Sequence, residues 1–269
     1  MVLSRREFAL TGISGLAFAG ARRIPVALQL FSVRRQCQKD LPGTLSRVAD
    51  IGYSAVEFAG YYGHGPDELK RLLAERRLTC CGAHVSFDSV QPDKLPATIE
   101  FHQALGNRSL IVPGLPARAT QSHEAWLETA KRFGEISKTL LKSGMRLGYH
   151  NHAAEFRPVS GERPWDTLFE NTPKEVFIEL DLGGAGYGGA NPIEALKRYP
   201  GRVRFVHVKD YTLTKPDLMI GDGQMDWHEF FPVCEKVAGT EWYVIEHDSD
   251  PNANFEDIRE CLRRFRAVK

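Results

Sequence analysis

RVRFVHVKD, residues 202–210, reads as a strand entered from a Pro200–Gly201 turn, with Val203 and Phe205 as strong β-formers. Its far end carries His207 and Lys209 two residues apart. A strand has a period of two, so both side chains leave the same face. An imidazole and an ammonium buried at a strand end need partners, because an unpaired charge is costly to remove from water. The question is what those partners are, and the rest of the chain supplies candidates.

Seven more apolar runs accompany this one: 25–33, 55–60, 80–87, 109–114, 146–152, 176–182 and 242–248. Most are near-continuously apolar, as expected of strands covered on both faces. Helical periods lie between them. Leu41, Leu45 and Val48 form one stripe, Leu69, Leu72 and Leu73 another. Trp126, Ala130, Phe133, Ile136 and Leu140 form a longer one, and Phe255, Ile258, Leu262 and Phe265 the last. A further helix begins after Pro192 with Ile193 and Leu196. Gly52, Gly106, Gly144 and Gly239 stand where helices should end. Eight βα units in roughly 250 residues predict an α/β fold of the (β/α)8 TIM-barrel type. A doubly wound sheet would need a glycine-rich phosphate turn after its first strand, and FSVRRQC, 31–37, has no glycine.

The first 20 residues read differently. Arg5-Arg6 precede a mildly apolar run from Phe8 to Ala19 that ends in Ala17-Phe18-Ala19, a small-x-small pattern. This predicts a twin-arginine export segment over 1–20, periplasmic localisation, and one barrel domain over 21–269. The apolar part is too short to span a membrane. The net charge of +1 in 269 residues gives no drive towards nucleic acid or anionic membrane. Five cysteines, an odd number without a CxxC, argue against a disulfide framework.

In such a barrel the active site lies at the C-terminal ends of the strands. Those ends carry Glu57, His84, His150 with His152, Glu179 with Asp181, His207 with Lys209, and Glu246 with Asp248. Acids and imidazoles converging on one mouth most simply share a cation. Mixed N/O ligands suit Mn, Co, Zn or Fe better than Ca. Each residue alone has a structural explanation: Glu57 pairing with Arg34, Lys209 with Asp210 or Glu179, Asp248 and Asp250 capping a turn. The case rests on the set.

At these residues the sequence resembles the sugar phosphate isomerase/epimerase family, the xylose isomerase-like TIM barrels. QLFSVR, GYSAVEFAGYYG, GAHVSF, LIVPGLP, LGYHNHAAEF, IELDLGG, YPGRVRFVHVKD, GDGQMDW and YVIEHD carry the resemblance, from about residue 25 onward. It implies one divalent ion held by Glu, Asp, His and Glu from strands five to eight. Asp181, His207 and Glu246 match the last three positions, whereas LGYHNH places His150 where the family commonly has glutamate. Glu155 is the alternative fourth ligand. In the family's epimerases the two glutamates both bind metal and move protons, so this departure disfavours simple two-base epimerisation.

The resemblance implies metal-assisted proton abstraction next to a carbonyl, through a stabilised enediolate, on a sugar or keto-sugar. Glu246, His152 and Glu57 are the expected acid–base groups, with Lys209 steadying the developing oxyanion. His84, Glu179 and Arg34 are expected to contact substrate. The leading expectation is an isomerase or epimerase. A lyase or dehydratase on a keto-sugar or keto-glycoside is the close alternative, because the histidines of strand five suit protonation of a leaving group. A non-catalytic sugar-binding protein would keep the same pocket. Export makes phosphorylated substrates less expected, and neutral charge argues against a DNA-repair endonuclease. The segment YTLTKPDLMIGDGQMDW, 211–227, is expected to form a mobile loop over the mouth.

Overall fold

A computed structural model describes residues 23–159, 161–247 and 254–269. The eight apolar runs form one closed parallel barrel. Its strands are β1 (Val26–Gln29), β2 (Ala55–Phe58), β3 (Thr79–His84), β4 (Ser109–Val112), β5 (Arg146–His150), β6 (Phe177–Asp181), β7 (Val203–Val208) and, last, β10 (Trp242–Ile245). A small antiparallel hairpin, β8 (Asp210–Thr212) with β9 (Lys215–Leu218), follows β7. Around the barrel the order is β1-β10-β7-β6-β5-β4-β3-β2. Residues 1–20, Asp248 and Asp250 lie outside the described residues. Among the described residues no helix is long and apolar enough to cross a membrane.

Strands are shorter than their apolar runs for local reasons. Phe31 N donates to Gln29 Oε1 at 3.1 Å, which turns Leu30–Val33 into a short 3-10 segment instead of strand. The expected helices occupy Leu41–Ile51, Pro66–Glu75, His123–Lys142, Pro192–Arg198 and Phe255–Val268. Their starts are fixed by caps: Asp40, Ser122 and Asn191 accept from backbone N–H groups, and Asn254 with Asp257 completes a capping box. Leu95–Leu105, Pro164–Glu170, Leu182–Tyr187 and Trp227–Val233 are further helices. Three of these are seven residues or fewer. That is too short for a 3.6-residue period to repeat convincingly.

The barrel interior is layered. Its lower part is plugged by Ala27, Ala55, Ile111, Phe177, Phe205 and Val244. The rings of Phe177 and Phe205 stack with centroids 5.2 Å apart. Glycines make room for this plug: a Cβ on Gly148 would lie 2.5 Å from the Phe177 ring. Fully burying each phenylalanine contributes about 1.5–3 kcal/mol. The plug closes the lower barrel, so the polar residues above it face one mouth.

The segment after β7 differs from expectation. The Asp210 carboxylate accepts from Gly221 N, Gly223 N and Met225 N, at 2.9 to 3.1 Å, and from Trp227 Nε1 at 3.3 Å. One buried carboxylate thus ties the segment down, and Tyr211, Ile220 and Met225 are buried. It is a pinned hairpin and turn, and among the described residues none of 211–227 lines the mouth cavity. All five cysteines are free thiols.

Candidate metal centre and active site

Directly above the plug, Gln29, Glu57, His84, His150, Glu179 and His207 make one polar layer. Glu179 and His207 are wholly buried, as is Glu57. Glu179 Oε2 accepts from His84 Nε2 at 2.7 Å and from His150 Nδ1 at 3.1 Å. Glu57 Oε2 accepts from Gln29 Nε2 at 2.7 Å and from His207 Nε2 at 2.8 Å. The other face of His207 donates from Nδ1 to Glu246 Oε2 at 2.9 Å. One step nearer the mouth, Lys209 Nζ lies 3.1 Å from Asp181 Oδ2 and 2.7 Å from Glu246 Oε2. These are the partners that the end of β7 required.

The strand ends are locked to one another by Asn151. Its Oδ1 accepts from Asp181 N at 2.9 Å and its Nδ2 donates to Asp181 O at 3.2 Å. Asp181 Oδ1 caps Gly184 N at 2.6 Å, leaving Oδ2 to face Lys209 and His150. Glu155 is held elsewhere. Tyr149 Oη donates to its Oε1 at 2.6 Å, and His152 N donates to its Oε2 at 2.9 Å. Tyr149 packs edge-on against Trp126 and Phe133 in the helix layer, so Glu155 braces the outside of the strand-five loop. His150, not Glu155, is therefore the strand-five residue that faces Asp181.

Electrostatics sort the imidazoles. Burial pulls the pKa of His84 down, but the Glu57 and Glu179 carboxylates outweigh it and push it up to about 9. Burial is likewise overcome at His207 by Glu179 and Glu246, which raise its pKa well above the ordinary value. His150 goes the other way, to about 4, through burial and then the charge of His207. A neutral His150 donating from Nδ1 to Glu179 keeps a lone pair on Nε2, which faces Asp181 Oδ2 at 3.9 Å. Burial opposes ionisation of Glu246, but Lys209 and His207 hold its pKa well below the usual carboxylate range.

His150, Asp181, His207 and Glu246 bring one ligand atom each to within 4.8 Å of one another. A second such set, His84, His150, Glu179 and His207, shares His150 and His207 with the first. The upper set fits a divalent first-row ion on donor chemistry: two imidazoles and two carboxylates. It also has the outer carboxylates that ligating histidines usually need, Glu179 behind His150 and Glu57 behind His207. Four carboxylates, Glu57, Glu179, Asp181 and Glu246, crowd this small volume. The Oε1 atoms of Glu57 and Glu179 have no hydrogen-bond partner among the described residues. Lys209 and the protonated His84 and His207 offset most of this negative charge, and a divalent ion would take over the part played by the His207 proton.

The mouth opens into a cavity of about 890 Å³ whose lining includes His84, His150, His152, Lys209 and Glu246. Three sequence expectations change here. Glu57 was expected to move protons and Glu179 to touch substrate, but both are buried behind the histidines and neither lines the cavity. Arg34 was expected at the substrate. Its Nη1 donates to Phe31 O at 2.9 Å, its guanidinium stands 4.2 Å over the Phe31 ring, and it too lies outside the cavity lining. His152, just past the end of β5, is exposed and lines the cavity. Gln29 and Asn151 are organising residues that the sequence reading passed over. Gln29 had a signal, since it follows Ala27 at the strand period and is the lone polar residue of its run before Ser32.

A closed eight-stranded parallel barrel with acids and imidazoles gathered at its C-terminal mouth defines a metal-site class of TIM barrel. The family model described as "Xylose isomerase-like TIM barrel" matches residues 45–267, and the chain belongs to that family. It is 24% identical over 249 residues to an inosose dehydratase of Clostridium botulinum (strain Alaska E43 / Type E3), covering 77% of this chain and 82% of the relative. Among solved structures it resembles a sugar phosphate isomerase/epimerase from Parabacteroides distasonis ATCC 8503. That match has a TM-score of 0.77 and 24% identity, over 97% of this chain and 100% of the other. It also resembles the IOLI protein crystallised with a zinc atom, with a TM-score of 0.72 and 14% identity, over 91% of this chain and 98% of the other.

Proposed function

We propose that the protein is a dehydratase-type lyase acting on a polyhydroxylated ketone, with His152 as its proton-transfer group. One observation carries this reading. His152 lines the cavity and is exposed, and among the described residues its ring has no hydrogen-bond partner, whereas Glu246 is engaged by both His207 and Lys209. Two-base epimerisation needs a free base on each face of the reacting carbon. A syn elimination needs one group that first accepts and then donates a proton, a role that an imidazole fills.

A divalent ion held by His150, Asp181, His207 and Glu246 would supply Lewis acidity, polarising a carbonyl and acidifying the neighbouring C–H. His152 takes the proton from that carbon. The electron pair left on that carbon forms a C=C bond to the next carbon as the C–O bond there breaks, and His152 returns the proton to the departing hydroxyl, which leaves as water. Lys209 stabilises negative charge on the carbonyl oxygen during the step. The dehydratase relatives support the reaction class, and the zinc of the IOLI protein supports a transition ion. The isomerase/epimerase reading keeps support from the Parabacteroides structure. Arg5-Arg6 supports export by the twin-arginine route, tested by fractionating cells that express the native protein and an Arg5→Lys, Arg6→Lys variant.

Incubation with a 2-keto-cyclitol in D2O, followed by NMR and mass spectrometry, tests the chemistry. Loss of water is the expected result, with His152→Gln lowering kcat by about 100-fold or more. Deuterium exchange without loss of water would favour the epimerase reading. Sugar binding with neither reaction would leave a binding protein.

A further inference from the structure

Much of the rest of the cavity lining is apolar: Phe31, Val85, Phe87, Pro113, Leu115 and Pro116 contribute to it, with Asp88 and Arg118 as its charged members. Sugar-ring chemistry at the mouth uses only the polar side. The whole volume, about 890 Å³, lies near the top of the range for pockets holding drug-sized ligands, about 300–1,000 Å³. A single six-carbon ring would fill only part of this volume.

Phe31 is the most informative residue of the wall. It is 39% exposed, one of few large apolar side chains so placed among the described residues. Single exposed apolar residues are ordinary, but this one is braced from three directions. Arg34 covers its ring and bonds its carbonyl, and its N–H is held by Gln29, whose amide in turn holds Glu57. The ring thus stands on a backbone held through Gln29 to the layer behind the histidines, with Arg34 on its face. Phe87 is fixed as well, stacked on Phe133 with centroids 6.1 Å apart and planes 16° from parallel. At Gly60, on the cavity lining, a Cβ would meet nothing within 4 Å, so the space beside the wall is open.

We infer that the cavity takes a two-part substrate: a polyhydroxylated ring at His152, Lys209 and Glu246, joined to a flat apolar group, an aryl glycoside being the fitting class, lying on the Phe31–Phe87–Leu115 wall. This rests on the reading of the mouth as a site for a polyhydroxylated ring. Phe31 and Leu115 set specificity, and Arg34 is a positioning residue that acts through Phe31.

Titration of the full protein with phenyl β-D-glucoside and methyl β-D-glucoside, followed by saturation-transfer NMR, tests this. The phenyl compound should bind at least about tenfold more tightly, with its aryl protons receiving the strongest saturation. Phe31→Ala should abolish that preference while leaving the methyl compound's affinity unchanged. Arg34→Ala should reduce the preference and leave the thermal midpoint within the spread of replicate melts. Equal affinities in the native protein, or a preference that survives both Phe31→Ala and Leu115→Ala, would overturn the two-part assignment and leave the ring site standing. If neither glucoside binds at millimolar concentration while a 2-keto-cyclitol does, the glycoside assignment fails and the ring site stands; if the ketone does not bind either, the ring site fails with it.

Discussion

Replacing Lys209 by methionine should have opposite consequences with and without a divalent ion. The ammonium lies 3.1 Å from Asp181 and 2.7 Å from Glu246, and all three residues are at least nine-tenths buried. Removing one partner of a buried pair costs about 3–5 kcal/mol, because the charge left behind is neither solvated nor compensated. In chelator, Lys209→Met should therefore lower unfolding stability by about 3–5 kcal/mol. A divalent ion within the upper quartet would sit close to the same ammonium. At an effective dielectric of about 20 and a separation of about 5 Å, their repulsion is about 7 kcal/mol. A quarter of that already exceeds a factor of about ten in affinity. The variant should bind Mn²⁺ at least about tenfold more tightly and regain most of its lost stability when saturated, as linkage requires. Urea unfolding with EDTA or with excess Mn²⁺, together with a competition titration against a metal indicator, reads both effects. Equal destabilisation under the two conditions, or weaker Mn²⁺ binding, would refute the reasoning. It would mean that the ammonium does not compete with the cation for these carboxylates.

Two further perturbations probe the scaffold. Gly148→Ala places a Cβ 2.5 Å from the Phe177 ring, so overpacking should cost about 1–3 kcal/mol. A thermal midpoint equal to that of the native protein would show that the plug yields without strain. His102 is 1% exposed and outside the barrel mouth, and burial pushes its pKa down to about 4. The unfolded chain takes up this proton near pH 6.5 and the folded one near pH 4, so stability falls as pH drops between those values, by up to about 3 kcal/mol. His102→Phe should remove about 2 kcal/mol of the difference between pH 7.5 and pH 5 measured by urea unfolding, and an unchanged difference would contradict it.

What could be read from the chain follows from which interactions are local. Strand positions show in the sequence because burial on both faces demands continuous apolar runs, and 203–208 is a clear case. Convergence of His150, Asp181, His207 and Glu246 also follows from period and topology, since barrel strands deliver their C-terminal residues to one mouth. Roles within the convergence are another matter. Glu57 and Glu246 occupy comparable strand-end positions in the sequence. Only the register of β2 against β1, which pairs Glu57 with Gln29, sets Glu57 a layer deeper, and Glu246 follows the last paired residue of β10. A difference of one strand layer turns a candidate base into a support for His207. Glu155 and Arg34 illustrate the same limit for loops. A carboxylate five residues past His150 and a guanidinium three past Phe31 have several partners within reach, and tertiary packing chooses Tyr149 for one and the Phe31 ring for the other. The substitution of imidazole for carboxylate at His150 is visible in the sequence, but its consequence is not. A glutamate there would add negative charge beside Asp181 and Glu246, whereas a neutral imidazole backed by Glu179 offers a lone pair without it. Two residues on, His152 is exposed on the cavity lining, which is why the proposed elimination, and not two-base exchange, is assigned to it.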